Sequence, residues 1–347
     1  MINKTLVLLF LLSIKPSLLS HPLFSYLTVL KEKPVSKINL KNVLFNIDKL
    51  LHKNSMSKKQ YQTLLNTILS NIRSFTRDGE QPKTIFYKVS EYLTRYEAFL
   101  PVAFGNEWDT NLFTAFVKNR KGSCLPFSLL YLIISQHLGL PVYASLSPEH
   151  IFIKYNDKKQ AFNIETVYFE YDRVLYEPGT FISSSMYKKA LKIPPKSIKK
   201  GFFLQQLNHK ETIGIYLNNI GALILQDALS ESDYNKFKNK LIFAKRILIF
   251  SLKFYPHNFS TFFNLATLHL FWLFDQQKAK KLLIFAKKIL NNTKIKILQA
   301  EYLIKTTNPL FLKYIKRINI PAQIKLSLQA KYYLIRGNFK RAKNYYA

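Results

Sequence analysis

The chain predicts two unlike parts in series, an α+β unit followed by an all-α unit. Two observations carry that expectation. Between residues 108 and 185 the pattern passes from one helix to several short strands, whereas from about 205 onward apolar residues recur at helical spacing with almost no strand signal. Length fits the division, since 347 residues suit about two domains of roughly 150 each. Composition fits a packed interior, because 28 Phe and 21 Tyr supply bulk that disordered chains lack. A single cysteine excludes an internal disulfide framework and any multi-cysteine metal centre.

The first 20 residues read as a signal segment. Met1 to Lys4 is a short basic start, and Thr5 to Ile14 is an uncharged, leucine-rich run of about ten residues, too short to span a bilayer. Ser20 before His21 offers a cleavage point, with Leu18 where a small residue is usual. Export to a periplasm or cell envelope is the expectation, and an uncleaved membrane anchor is the alternative.

Residues 38–107 form a helical lead-in. Leu40, Val43, Leu44, Ile47, Leu50 and Leu51 recur at three- and four-residue steps, as do Tyr61, Leu64, Leu65, Ile68 and Leu69. Arg77 to Pro82 is a turn cluster between helices.

The chemistry gathers in residues 108–185. Pro126 is tolerated only in a first turn, which starts a helix at Cys124, and Gly139 stops it. Ser123 is placed to cap the opening amides, and Cys124 sits at the positive end of the helix dipole with Arg120 and Lys121 upstream, features that favour a thiolate. Strands follow at Val142 to Leu146, His150 to Tyr155 and Ala161 to Glu165, the last two joined as a hairpin through Asn156 to Lys159. His150 and Glu165 then lie close on adjacent antiparallel strands. A helix-borne Cys, a His and a carboxylate make the constellation for nucleophilic acyl transfer: Cys124 as nucleophile, His150 as base and acid, Glu165 as the group that fixes the imidazole. Glu149 is expected on the opposite, solvated face and His137 is expected to be structural. Trp108 and Asp109 are candidates to line the cleft, with core packing favoured for the tryptophan. No cofactor and no metal is expected, since the chain has neither HExxH-like spacing nor a glycine-rich phosphate loop.

Arg120 to Cys124 (RKGSC), Ser128 to Tyr131 (SLLY), Leu138 to Pro141 (LGLP), His150 to Lys154 (HIFIK) and Asn163 to Thr166 (NIET) follow one another in an order that resembles the transglutaminase-like superfamily, a papain-related cysteine fold. The resemblance implies a papain/transglutaminase-like α+β domain over 38–185, with Cys124 and His150 as the reacting pair and Glu165 at the acidic position, where Asp is commoner. After a linker at 186–204, residues 205–347 resemble a tetratricopeptide array. Gly221, Ala266, Ala300 and Ala330 occupy the small position of successive first helices; Ala330, Tyr333, Gly337, Phe339 and Ala342 match the repeat spacing most fully. An insertion from Asp227 to about Phe237 lengthens the first hairpin, the third repeat is short, and the chain reaches Ala347 inside the last second helix, leaving a capping helix to be missing or supplied by a neighbour.

The net charge of +32 is uneven: residues 1–180 hold 22 basic and 14 acidic side chains, residues 181–347 the remaining 30 and 6. The excess lies on the helical half, where it biases a docking groove towards acidic protein or peptide partners. No nucleic-acid recognition motif is present, and membrane contact is expected only through the N-terminal segment. The expectation is therefore a thiol enzyme acting on an amide bond by hydrolysis, deamidation or transamidation, with the repeats holding a protein partner. The alternative is a non-catalytic interaction protein on the same scaffold.

Overall fold

The computed structural model describes residues 21–51, 56–102 and 107–345. The expected signal segment, 1–20, lies outside them. The lead-in comprises α1 (Pro22–Glu32), α2 (Leu40–Leu50), α3 (Lys58–Phe75) and α4 (Pro82–Glu91). Their starts are local in origin. Asn39 accepts from the Asn42 amide, Ser57 and Gln60 form a reciprocal capping box, and α1 and α4 open on Pro22 and Pro82. The expected turn falls at Asp78 and Gly79, with Gly79 at φ +79°.

Two short helices, α5 (Trp108–Asn111) and α6 (Phe113–Asn119), lead into α7 (Cys124–Leu138), whose N-terminal boundary and Gly139 C-cap fall where Pro126 and Gly139 place them. Every residue of α7 from Leu125 to Ser135 is buried, so the helix needs cover on all sides. One side is the sheet of β3 (Val142–Ser147), β4 (His150–Asn156), β5 (Ala161–Ile164) and β8 (Phe181–Ile182), antiparallel throughout in the order β3-β4-β5-β8. Ile151, Ile153, Tyr155 and Ile164 share one core with α7, α2 and α3. A two-residue parallel pair, β1 (Leu100–Pro101) with β2 (Lys121–Gly122), and a hairpin, β6 (Phe169–Tyr171) with β7 (Val174–Tyr176), complete the strands.

The stretch 186–204, expected as a linker, is folded. It holds most of α8 (Ser184–Ala190) and all of α9 (Pro195–Lys199), and it buries Tyr187, Ile193, Phe202 and Phe203. Beyond it the chain returns along β3, with the Leu204 amide donating to Leu146 and the Leu207 amide to Ala144, which covers a strand edge left open by the sheet.

Four helical hairpins follow: α10 (His209–Leu229) with α11 (Tyr234–Phe254), α12 (Phe259–Phe271) with α13 (Gln276–Ile289), α14 (Thr293–Lys305) with α15 (Leu310–Arg317), and α16 (Ala322–Ile335) with α17 (Phe339–Lys343). The small residues are buried as expected; a Cβ added at Gly221 would sit 2.7 Å from Leu248 Cδ2, so α10 and α11 depend on glycine there for their approach. Around the expected insertion, Asp227 to about Phe237, α10 and α11 run to 21 residues each. The fold is thus mostly helical with a few small sheets, consistent with a solenoid-like arrangement. A papain-like domain is not shown: the strand-forming segments between 142 and 182 are only two to seven residues long, and helices supply the rest of the cover. Among the described residues no helix is long and apolar enough to cross a membrane.

The two expected units share one core. It runs from Leu23 through α7 to Tyr255, and at its centre the buried Asp48 accepts from Tyr216 Oη (2.5 Å) on α10 and from the amide and hydroxyl of Thr114 (both 2.9 Å) on α6. Burial pushes the Asp48 carboxyl from 3.8 up to about 6, against the opposing effect of these hydrogen bonds. Between pH 4 and 6 the folded chain therefore keeps a proton that the unfolded chain has lost, and this group's contribution to stability falls as pH rises through that window. Asp48→Asn should flatten that slope in denaturant titrations across pH 4–7, whereas Asp48→Ala, which leaves the Tyr216 hydroxyl and the Thr114 amide buried without an acceptor, should cost about 3 kcal/mol.

Candidate active site

Strand register brings the acid–base pair together. Ile153 pairs with Ile164, so continuing the β4–β5 register sets Phe152 opposite Glu165 and His150 on the adjacent diagonal of the same face. His150 Nε2 and Glu165 Oε2 are 2.8 Å apart. The carboxylate is fully buried and receives three further donors: Tyr187 Oη on Oε2 (2.8 Å), and the amides of Thr166 (2.9 Å) and Val167 (3.4 Å) on Oε1. An ionised carboxylate, which only accepts, matches that set. Burial and the Glu165 charge push the Tyr187 phenol well up, so Tyr187 remains a donor.

Cys124, half-buried at the start of α7, lines the same cavity as His150, close enough to act on the imidazole. The imidazole thus holds Glu165 through Nε2 and shares the cavity with the thiol. Burial by itself would lower the His150 pKa. The Glu165 charge, hydrogen bonds to Cys124 and Glu165, and the Cys124 charge outweigh it and raise His150 from 6.5 to about 10. Phe169, with its ring centroid 5.5 Å from the imidazole, and Phe152, stacked on Tyr187 at 4.1 Å, pack around the pair.

The residues before Cys124 act differently from expectation. Ser123 makes no side-chain cap; its hydroxyl donates instead to Asn111 Oδ1 (3.1 Å), which also accepts from Asn219 Nδ2 on α10 (3.2 Å). Pro126 has no amide hydrogen, so the Cys124 and Leu125 amides are left at the mouth of the helix. Arg120 does not lend its charge to the thiol: it pairs with Glu97 at 2.8 Å. Gly122 is required by packing, since a Cβ there would meet the Phe116 ring at 2.5 Å.

Cys124, Leu125 and His150 line a cavity of about 140 Å³. Its other wall is supplied by the helical hairpins, through Ile215, Asn218 and Asn219 of α10 and Asn258, Phe259 and Ser260 at the start of α12. Glu149, read from the sequence as a solvated residue, is exposed; it reaches the cavity and is ion-paired to Lys294 of α14 at 2.7 Å. His137 lies at the far end of α7, where burial, with Lys41 and Arg73 nearby, lowers its pKa; it takes no part in the site. Trp108 packs against the main core. Neither Tyr187 nor the asparagines of α10 was legible as a site residue. Tyr187 lay in the supposed linker, and Asn218 and Asn219 fall in a helix whose repeat pattern draws attention to its small residues. A larger groove of about 740 Å³ sits along β4 and β5, but its lining, including Lys154, Asn163 and Gln205, holds no cysteine, histidine or carboxylate. Among the described residues no group of three or more His, Cys, Asp or Glu is placed to hold a metal ion.

No family model and no curated protein matches the chain. Among solved structures, menin, whose crystal structure "reveals the binding site for Mixed Lineage Leukemia (MLL) protein", is similar over 80% of this chain and 62% of that one, with a TM-score of 0.51 and 11% identity. The chain thus spans less than two thirds of the menin chain, and at this identity the likeness is one of fold. These findings overturn the resemblance to the transglutaminase-like superfamily and to a tetratricopeptide array, since neither family's model matches and the structural likeness is to menin. The physical reason is that a Cys at a helix start with His and Glu on neighbouring strands specifies local chemistry that unrelated folds can hold.

The linkage sign for His150 follows from its raised pKa. Its contribution to stability is fully present below pH 6.5 and is lost as pH rises through about 10. Glu165→Gln should lower the His150 pKa by about 1–3 units, measured by NMR of ring-labelled histidine.

Proposed function

We propose that the chain is a thiol enzyme that cleaves or exchanges an amide bond through an acyl-Cys124 intermediate. The observation that carries this reading is the buried His150–Glu165 pair, 2.8 Å apart, with Cys124 and His150 lining one cavity at the start of α7. In the reaction, His150, raised to about 10, already holds the proton at neutral pH, and the thiolate of Cys124 paired with it forms a bond from Sγ to the carbonyl carbon as the carbonyl electrons move onto oxygen. Collapse of that intermediate breaks the C–N bond, and the His150 proton leaves with the amine. Glu165 stabilises the imidazolium through Nε2, and Tyr187 with the two amides holds Glu165 in place. Water or an amine then releases the acyl group, with His150 removing its proton.

A second reading, binding of a protein or peptide without turnover, is favoured by the fold likeness to menin, whose structure is named for a protein-binding site. In that reading Cys124 and His150 are part of a docking wall between the sheet and the hairpins. Export of the chain is proposed alongside either reading on the Met1–Ser20 pattern alone, and acidic partners on the +32 charge.

Reactivity separates the two. Alkylation of Cys124 by iodoacetamide at pH 7 should slow about 100-fold in His150→Ala, as expected when the imidazolium that favours the thiolate is removed. Equal rates in the two proteins would favour the docking reading. A covalent acyl adduct detected by mass spectrometry with the wild type, and absent with Cys124→Ser, would establish the thiol chemistry.

A further inference from the structure

Acyl transfer places negative charge on the former carbonyl oxygen, and hydrogen-bond donors held in advance at that point account for much of the rate in such sites. The Cys124 and Leu125 amides provide two donors from α7. Three asparagines line the same cavity from the side of the hairpins, and their carboxamides are oriented in two opposite ways. Asn219 Nδ2 gives one of its two hydrogens to Asn111 (3.2 Å) and Asn258 Nδ2 one of its two to Ser251 (3.3 Å). Asn218 is the reverse. Its Oδ1 accepts from Thr261 Oγ1 (3.0 Å) and from Asn264 Nδ2 (3.0 Å), which leaves Nδ2 without a protein partner among the described residues. The side chain is nine-tenths buried, so that open donor lies at the cavity and not in bulk solvent. Thr261 is itself fixed by Ser251, whose hydroxyl is 2.8 Å away.

We infer that Asn218 is a catalytic residue of the proposed reaction, with its Nδ2 donating to the acyl oxygen as the C–S bond forms. The inference rests on the thiol-enzyme reading and gives the helical hairpins a direct part in the chemistry. Thr261 and Asn264 are positioning residues: by occupying Oδ1 they turn the amide nitrogen into the cavity.

Two reagents test this on the intact chain. p-Nitrophenyl acetate acylates the thiol through an intermediate that develops an oxyanion, releasing nitrophenolate. Methyl methanethiosulfonate modifies the same sulfur by forming an S–S bond and releasing methanesulfinate, with no carbonyl involved. Asn218→Leu should slow the nitrophenolate burst about 100- to 1,000-fold and leave the thiosulfonate rate unchanged. Thr261→Val, which keeps the donor but removes one of the two groups holding it, should give a smaller loss with the same selectivity. A burst rate unchanged in Asn218→Leu, or both reagents slowed in equal proportion, would overturn the role of Asn218 while leaving Cys124 chemistry standing. A wild-type burst no larger than that of Cys124→Ser would overturn the thiol-enzyme reading and this inference with it.

Discussion

The structure depends on burying one helix. Residues 124–138 are apolar around nearly the whole circumference, and each fully buried Leu or Ile contributes about 1.5–3 kcal/mol relative to exposure, so no partial cover would suffice. The sheet covers one side of α7 and the helices α2, α3 and α6 the others. Only the two ends of such a helix can meet a cleft. Leu138 and Gly139 end it near the surface, and the N-terminal end, with Cys124, opens beneath the helical hairpins. The position of the thiol is therefore a consequence of how completely the rest of the helix is enclosed.

The polar groups that survive in this interior are organised in the same way, each spanning elements far apart in sequence. Asp48 joins the lead-in to α6 and α10; Glu165 joins β5 to α8 through Tyr187; Asn111 joins the residue before the nucleophile to α10. A buried donor or acceptor left unpaired costs about 1–3 kcal/mol, so these contacts fix the hairpins against the sheet more specifically than apolar packing does. The cavity at Cys124 is a product of that docking, with one wall from α7 and β4 and the other from α10 and α12.

Much of the local geometry was legible in the residues. Pro126 and Gly139 bounded the nucleophile helix, short apolar runs and the turn at Asn156 to Lys159 marked β3 to β5, and the small residues at 221, 266, 300 and 330 marked the hairpin contacts. Ser123 was misread because a Ser before a helix is a good cap in isolation, whereas here Asn111 competes for its hydroxyl. Arg120 was misread for a similar reason, since its proximity in sequence to Cys124 says nothing of Glu97, which takes its charge. The family resemblance failed because five short motifs define local chemistry and not the path of the chain between them.

The sequence by itself determined which residues could react and which helices and strands could form, because caps, glycines, prolines and periodicity act over a few residues. It also determined the charge of the helical half. Only the tertiary structure decided what surrounds the thiol: that the supposed linker delivers Tyr187 to Glu165, that Glu149 meets Lys294 at the cavity, and that the hairpins bring Asn218 into the lining of the cavity that Cys124 shares. Those choices are set by burial and hydrogen-bond satisfaction between segments as much as 145 residues apart, a range over which no local pattern operates.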